Sequence, residues 1–391
     1  MMLGLLLARA GLDVEVLEKH QDFLRDFRGD TIHPSTLQVM HELGLLSQLL
    51  ARPHQKIEHL AAVVGDRSMP IADFSHLPTR CRFIVLMPQW DFLDFVAAAA
   101  KRYPTFRLHM QTEATDLIEE QGRVVGVRAN TPQGAREVRA DLTVAADGRH
   151  SKLRDVAGLQ VKHLGAPIDV LWMRLSRRKG DPNAALGRIG AGALLVMLDR
   201  GDYWQCAYVI GKGEAENVRR QGIAAFRARV AEIAPVLSDR LTELQSWDDV
   251  KLLSVSVNRL MRWARPGLLF IGDAAHAMSP VGGVGINLAI QDAVAASNLL
   301  WEPLRRRRLT LRNLEAVQER RMFPTRATQW LQVQIQNNFL KRVLASRSAP
   351  QPPLPLRLLG NCPFLQRLPA RLIGVGIRPE HVTTPQLLAP S

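Results

Sequence analysis

Cysteine is scarce, with three among 391 residues. Cys81, Cys206 and Cys362 stand far apart and form no CxxC or Cys/His spacing, so neither a disulfide framework nor a cysteine-based metal site is encoded. Such sparing use of thiols suits a reducing cytoplasm. Tyrosine is as rare, also three residues, which leaves Tyr203 and Tyr208 as the nearest candidates for any phenol relay. No apolar run approaches the roughly 20 residues that span a bilayer. The apolar opening, residues 1–8, has no basic region ahead of it and runs straight into a turn and a strand, so it reads as a helix rather than a secretory signal. There is no internal repeat.

Positive charge, by contrast, is abundant. Lys plus Arg number 51 against 37 for Asp plus Glu, a formal charge of +14. A surplus of that size attracts phosphates, nucleic acid or anionic membrane without choosing among them. The arginines are spread along the chain. The run Arg305-Arg306-Arg307-Arg308 follows Pro303 after a long helix and reads as a solvated helix end, which argues against specific nucleic-acid binding. At 47% hydrophobic and 23% charged the composition is that of a folded protein, long enough for two or three domains.

The pattern mixes β-meanders into a βαβ framework. Residues 1–9 form a helix ended by Gly11, and 14–17 form a strand closed by Glu18. Helices follow at 33–50 and 91–102, strands at 57–64 and 82–87, and a meander at 112–119, 124–130 and 135–139. Strands are expected at 142–146, 171–175, 194–198, 203–210, 252–257 and 268–271, with helices at 216–233 and 287–300. Residues 312–343 are mainly helical, and the proline-rich remainder from Ser346 shows no regular pattern.

An acid at the end of the second strand of a dinucleotide-binding unit accepts hydrogen bonds from a ribose, about 20 residues after a glycine-rich turn. Glu18 fits that place, although on its own it could equally be a surface residue at a strand end. Counting back, the turn and the strand before it would fall upstream of Met1. The expectation is a chain start set at an internal methionine, the alternative being a shortened chain with weakened cofactor binding.

Two stretches carry chemistry. In the first, a buried strand delivers Asp147-Gly148-Arg149 into a tight turn, with Ser151 placed to cap the next helix and Arg149 and Arg154 near a phosphate-sized ligand. In the second, Leu268-Leu269-Phe270-Ile271 delivers Gly272-Asp273, and Gly282, Gly283 and Gly285 precede a helix whose positive N-terminus suits a flat ring that becomes anionic. Each alone could be structural.

Together they resemble the Asp-Gly and Gly-Asp motifs of the FAD-dependent aromatic-hydroxylase family, the p-hydroxybenzoate hydroxylase fold, and the similarity runs through most of the chain. The resemblance implies an α/β fold: a Rossmann-like FAD-binding domain (1–58, 86–162 and 258–310), an inserted, mostly antiparallel substrate domain (59–85 and 163–257), and a C-terminal region (311–391). It implies that Glu18 binds the adenosine ribose. Arg28 and Gln89 would touch the pyrophosphate or ribityl region, and Asp147 and Gly148 would serve both FAD and NAD(P)H. Asp273 would hold the ribityl chain, Pro280 would line the flavin front, with Pro280 and His276 as the catalytic candidates, and Gly285, Ile286 and Asn287 would contact the pyrimidine edge. No metal is implied.

The implied reaction is reduction of FAD by NADPH or NADH, then attack of molecular oxygen to give a flavin hydroperoxide that hydroxylates an aromatic or other conjugated small molecule. The substrate would lie near Trp172, Arg174, Met197, Trp204, Tyr208 or His276. A reductase or halogenase on the same scaffold is the alternative, though the tryptophan-rich motif of the halogenases is missing. A protein that binds anionic surfaces through its charge is the reading from another class. Residues 354–372 mix basic and apolar side chains, which suggests peripheral membrane contact for an otherwise cytoplasmic monomer or homodimer.

Overall fold

The structure is a computed structural model that describes residues 1–24, 31–65, 67–181, 186–346 and 354–389. Arg28 therefore lies outside the described residues.

The apolar opening forms the helix Met2–Arg9, in which Met2 through Ala8 are all buried. It lies on a parallel strand pair, Val14–Leu17 with Phe106–His109. Gly4 permits this approach, because a Cβ there would stand 2.9 Å from the Phe106 ring and 3.0 Å from Val16. A second parallel pair joins Thr143–Ala145 to Leu268–Phe270. Its strand Leu268–Phe270 is wholly buried, as continuous apolar runs in parallel sheets are. Among the described residues, Val14–Leu17 and Thr143–Ala145 each pair along one edge only. The expected meander is present as Glu113–Glu120, Arg123–Thr131 and Gly134–Arg139.

A seven-stranded sheet holds, in spatial order, Val250–Leu253, Ile168–Ser176, Tyr203–Gly211, Ala193–Asp199, Leu186–Gly190, His59–Val64 and Arg67–Asp73. Alternation gives it two apolar faces. Leu171, Met173, Leu195, Met197, Trp204, Cys206 and Tyr208 face the helix Ile223–Ile233 and the 3-10 segment Pro235–Glu243. Val170, Trp172, Leu194, Val196, Ala207 and Val209 face the other way, against Val281, Ile335, Phe339, Leu340 and Leu344.

Three expectations are corrected here. The helix expected over 33–50 is two, Pro34–Glu42 and Leu46–Leu50, parted around Gly44, and that over 216–233 is also two, Ala215–Arg220 and Ile223–Ile233, parted around Gly222. Helical periodicity continues across such a break because both halves bury one side against the same core. The region after Ser346 is not irregular: it holds the helix Leu354–Asn361, a 3-10 turn Pro363–Gln366 and the helix Arg367–Gly374. Segments this short are marginal alone and form by packing, here on the strand Arg67–Asp73 and Phe74.

His33 stitches that region to the rest. Its ring is buried, with Nδ1 2.7 Å from the Ile373 carbonyl, and burial outweighs that bond to push the imidazole down to about 4. The folded chain thus keeps His33 neutral where the unfolded chain, with an ordinary value near 6.5, binds a proton. Stability from this site is complete above pH ~6.5 and falls as pH drops toward ~4, by about 3 kcal/mol at the lower limit. Melting temperatures from pH 7 to 4.5 should show the decline, and His33→Gln should flatten it.

Candidate active site

The strands Thr143–Ala145 and Leu268–Phe270 run in the same direction and end side by side, with the Ile271 amide donating to the Ala145 carbonyl at 3.1 Å. That register sets Asp147-Gly148 beside Gly272-Asp273. Arg149 joins the two turns: one guanidinium nitrogen donates to Asp273 Oδ2 at 3.4 Å, while the other, Nη1, is buried and has no partner among the described residues. Arg154 is an internal brace rather than the phosphate ligand its position suggested. Its buried guanidinium donates to the carbonyls of Ala274 (3.4 Å) and Arg149 (2.7 Å). Ser151 caps the short helix Lys152–Val156 through the Arg154 amide. Asp147 is exposed, its Oδ2 3.4 Å from the Leu153 amide.

Gly272 has φ +58°, and a Cβ on it would stand 3.0 Å from that of Ala289, so only glycine lets the turn close onto the helix Gly285–Arg305. Among the described residues no side chain caps that helix, so its first-turn N–H groups are open to a ligand. A Cβ on Gly285 would sit 4.0 Å from Asp273 Oδ1, filling the space beside that half-buried carboxylate. An open helix N-terminus, a carboxylate, a half-buried guanidinium with a spare donor and glycine in place of side chains fit a flat cofactor with anionic and hydroxyl-bearing parts.

Pro280 leads into the 3-10 turn Val281–Gly283, and its surroundings are held by residues that sequence reasoning missed. From the helix Leu311–Ile335 and the π-turn after it, Gln329, Gln332 and Gln336 point inward, all buried. Gln332 donates to the carbonyls of Ser279 (3.0 Å) and Val281 (2.8 Å) and accepts from the Ser279 amide (3.1 Å). Gln329 donates to Ala277 and Asn258, and Gln336 to the Ser279 hydroxyl. The signal was available as three glutamines at i, i+3 and i+7 on one helix, an unusual polar stripe.

The side chain of Asn287 is fully engaged. Its amide donates to Thr31 O (3.0 Å) and Gly283 O (3.2 Å), and its oxygen accepts from the His33 amide and the Thr36 hydroxyl, both at 2.8 Å. Any ligand contact from Asn287 is left to its backbone, as for the half-buried Gly285 and Ile286. Glu18, half-buried after its strand, accepts from the His20 amide at 3.0 Å, and Gln89 opens the helix Gln89–Lys101.

His276 is placed in the interior, 1% exposed, beside the Trp263 ring. Its Nε2 lies 2.6 Å from Asp292 Oδ2, which also accepts the Gly272 amide at 3.1 Å. Asp292 Oδ1 accepts from Arg321 Nε at 3.0 Å, and Arg321 reaches Glu380 at 3.3 Å. Burial pushes the Asp292 carboxyl up, but His276 and Arg321 beside it outweigh that and hold it below the usual carboxylate range. With its ring turned to Asp292 and Trp263, His276 supports the Gly-Asp turn from behind. Met197, Trp204 and Tyr208 lie on the sheet face covered by the helix Ile223–Ile233, and Arg174 stacks on Tyr203 at 3.9 Å. Of the residues expected near a substrate, Trp172 alone shares a face and a cluster with Val281. A cleft of about 270 Å³ bounded by Tyr208, Phe226 and Arg229 shares no residue with the two motifs.

Removing the Asp292 charge leaves Arg321 buried with one anion fewer and the Gly272 amide with a weaker acceptor. Asp292→Asn should therefore cost about 3 kcal/mol of stability, and urea unfolding of the purified chain measures it. Gly283 has φ +62°, and a Cβ there would lie 2.3 Å from Thr31 Oγ1. Gly283→Ala should lose about 1–3 kcal/mol and release bound flavin more readily, read by fluorescence of the free cofactor.

Comparison with known proteins identifies the family. The model of the FAD binding domain family matches residues 1–331. The 6-methylpretetramide 4-monooxygenase of Streptomyces rimosus is 33% identical over 333 residues, which span 85% of this chain and 79% of that protein. Among solved structures, PqsL, a probable FAD-dependent monooxygenase from Pseudomonas aeruginosa, superposes with a TM-score of 0.74 at 21% identity, covering 88% of this chain and 94% of that one. OxyS, the anhydrotetracycline hydroxylase of Streptomyces rimosus, superposes at 0.72 with 22% identity, covering 96% of this chain and 74% of that one. The chain belongs to the FAD binding domain family and is an FAD-dependent monooxygenase that draws on NAD(P)H and molecular oxygen.

Proposed function

We propose that this enzyme hydroxylates an aromatic, polyketide-type small molecule held between the Pro280 turn and the apolar sheet face that carries Trp172, Leu194 and Val196. The observation that carries the reading is the junction of the two strand-end turns through Arg149 and Asp273, beside an uncapped helix N-terminus. The choice of substrate class draws on the Streptomyces rimosus relative, whose name places its oxygen on 6-methylpretetramide, and on the breadth of the apolar face behind Val281.

FAD, when bound, supplies the electron transfer and the activation of oxygen. The chain positions and shields it. Asp273 accepts hydroxyl hydrogens of the ribityl chain, and Arg149 orients that carboxylate. The backbone of Gly285, Ile286 and Asn287 would hold the ring edge of the flavin, where the helix dipole adds about half a unit of positive charge. Glu18 binds the adenosine ribose, Gln89 the pyrophosphate region, and Asp147 and Gly148 the cofactor at the first turn. Pro280, held by Gln332, offers a rigid edge without an N–H at the reacting face, and Val281 with the sheet excludes water from it.

The purified enzyme should oxidise NAD(P)H faster when a hydroxylated polycyclic aromatic is added, and should incorporate one atom from labelled oxygen gas into the product. Oxidation of NAD(P)H that continues unchanged without oxygen would falsify the hydroxylase reading. Asp273→Ala should weaken flavin retention roughly tenfold, as loss of a charge-assisted hydrogen bond does, measured by titration of the apoprotein with FAD.

A further inference from the structure

Between Glu319 and Glu380 the sequence contains no aspartate or glutamate, while Arg357, Arg367, Arg371 and Arg378 fall in its second half. Within that stretch, residues 354–374 fold as one unit. Leu354–Asn361 turns through Pro363–Gln366 into Arg367–Gly374, and the turn is closed by buried Gln366, whose Nε2 donates to the Leu359 carbonyl at 2.8 Å.

The inner side of this unit is anchored. Ala370 is fully buried, Gly374 is packed against Leu77, Phe74 and Pro34, Gly360 lies over Met69, and the Ile373 carbonyl is bonded to His33. The outer side is apolar and open to solvent. Phe364 is 73% exposed, Leu368 64%, Leu358 48% and Leu365 41%, a concentration of large apolar side chains within eleven consecutive positions, 358–368. Arg357, Arg367 and Arg371 are exposed among them, and the Arg367 guanidinium stacks on the Phe364 ring at 5.1 Å.

Single exposed leucines need no explanation, but several together with a phenylalanine, on short helices already buried on their other side, mark a contact surface. Charge selects among partners. A second copy of this chain would bring the same arginines against these, whereas a surface of lipid phosphates offers them counter-charges and offers Phe364 and Leu368 an apolar layer to enter. Arginines in such a setting lay their stems along the apolar residues and keep their heads at phosphate level.

We propose that residues 354–374 dock the enzyme on an anionic phospholipid bilayer, with Phe364, Leu365 and Leu368 inserted at the headgroup boundary and Arg357, Arg367 and Arg371 on lipid phosphates. The inference stands apart from the choice of substrate. Its inner bond from Ile373 to His33, and from the His33 amide to Asn287, sets this surface two residues' bonding away from the helix that opens the candidate site. A lipophilic substrate dissolved in the bilayer would thus be met close to where it reacts.

The test is co-sedimentation of the full-length flavin-loaded enzyme with vesicles of phosphatidylcholine alone or mixed with phosphatidylglycerol. Binding should appear with the anionic vesicles at low salt and weaken as salt rises. Phe364→Ser with Leu368→Ser should reduce it roughly tenfold or more, and Arg357→Gln, Arg367→Gln and Arg371→Gln should each reduce it about fivefold. All these side chains are exposed, so the melting temperature and flavin content of the variants should match the parent. Absence of sedimentation at low salt, equal binding to both vesicle types, or variants that bind as the parent does would overturn the proposal. So would a lipid-free dimer that the Phe364 and Leu368 changes dissociate, since the surface would then belong to a second copy.

Discussion

A carboxylate with no exposed surface stays ionised only when positive charge and donors surround it, and Asp292 is held in that way. Its two oxygens take His276, Arg321 and the Gly272 amide, and Arg321 in turn leans on Glu380. Four separated pieces of chain thus meet at one buried charge: the Gly-Asp turn, the helix behind it, the helix Leu311–Ile335 and the segment around Glu380. The Gly272-Asp273 turn thus has its conformation fixed from the rear by that charge.

The same division of labour recurs around the site. Arg154 holds two turns together from inside, Asn287 ties the loop at Thr31 to the helix N-terminus, and Gln332 grips the backbone on both sides of Pro280. Around the two strand-end turns the chain presents glycine, proline and main-chain groups, with Asp273 and Arg149 as the charged pair. Polar side chains are thereby spent on geometry, and the reacting volume is left to small, rigid or apolar groups, which suits chemistry carried by a cofactor.

What could be read from the sequence follows from how local each signal is. The strand-end turns are contiguous runs in which apolar residues, an acid and glycines stand within a few positions, so the placing of Asp147, Gly148, Gly272 and Asp273 at strand ends is legible. The faces of the seven-stranded sheet were not, because both are apolar. Periodicity separates Trp172 from Met173 but does not say which of them looks toward Val281. His276 illustrates a different limit. A histidine three residues past the Gly-Asp turn looks catalytic in one dimension, and only its partner Asp292, sixteen residues on, reveals an interior ion pair. The helices after Ser346 escaped because prolines break their pattern and packing on Arg67–Asp73 supplies what propensity lacks.

The far end of the described chain lies against its start. Arg9 donates to the Thr384 carbonyl, the Leu387 amide donates back to Arg9, and His381 reaches Glu42. A chain made from its N-terminus onward therefore lacks the Thr384 and Leu387 contacts of Arg9 and the Glu380 partner of Arg321 until that last segment has been made. Those closing contacts can form only once nearly the whole described chain is present.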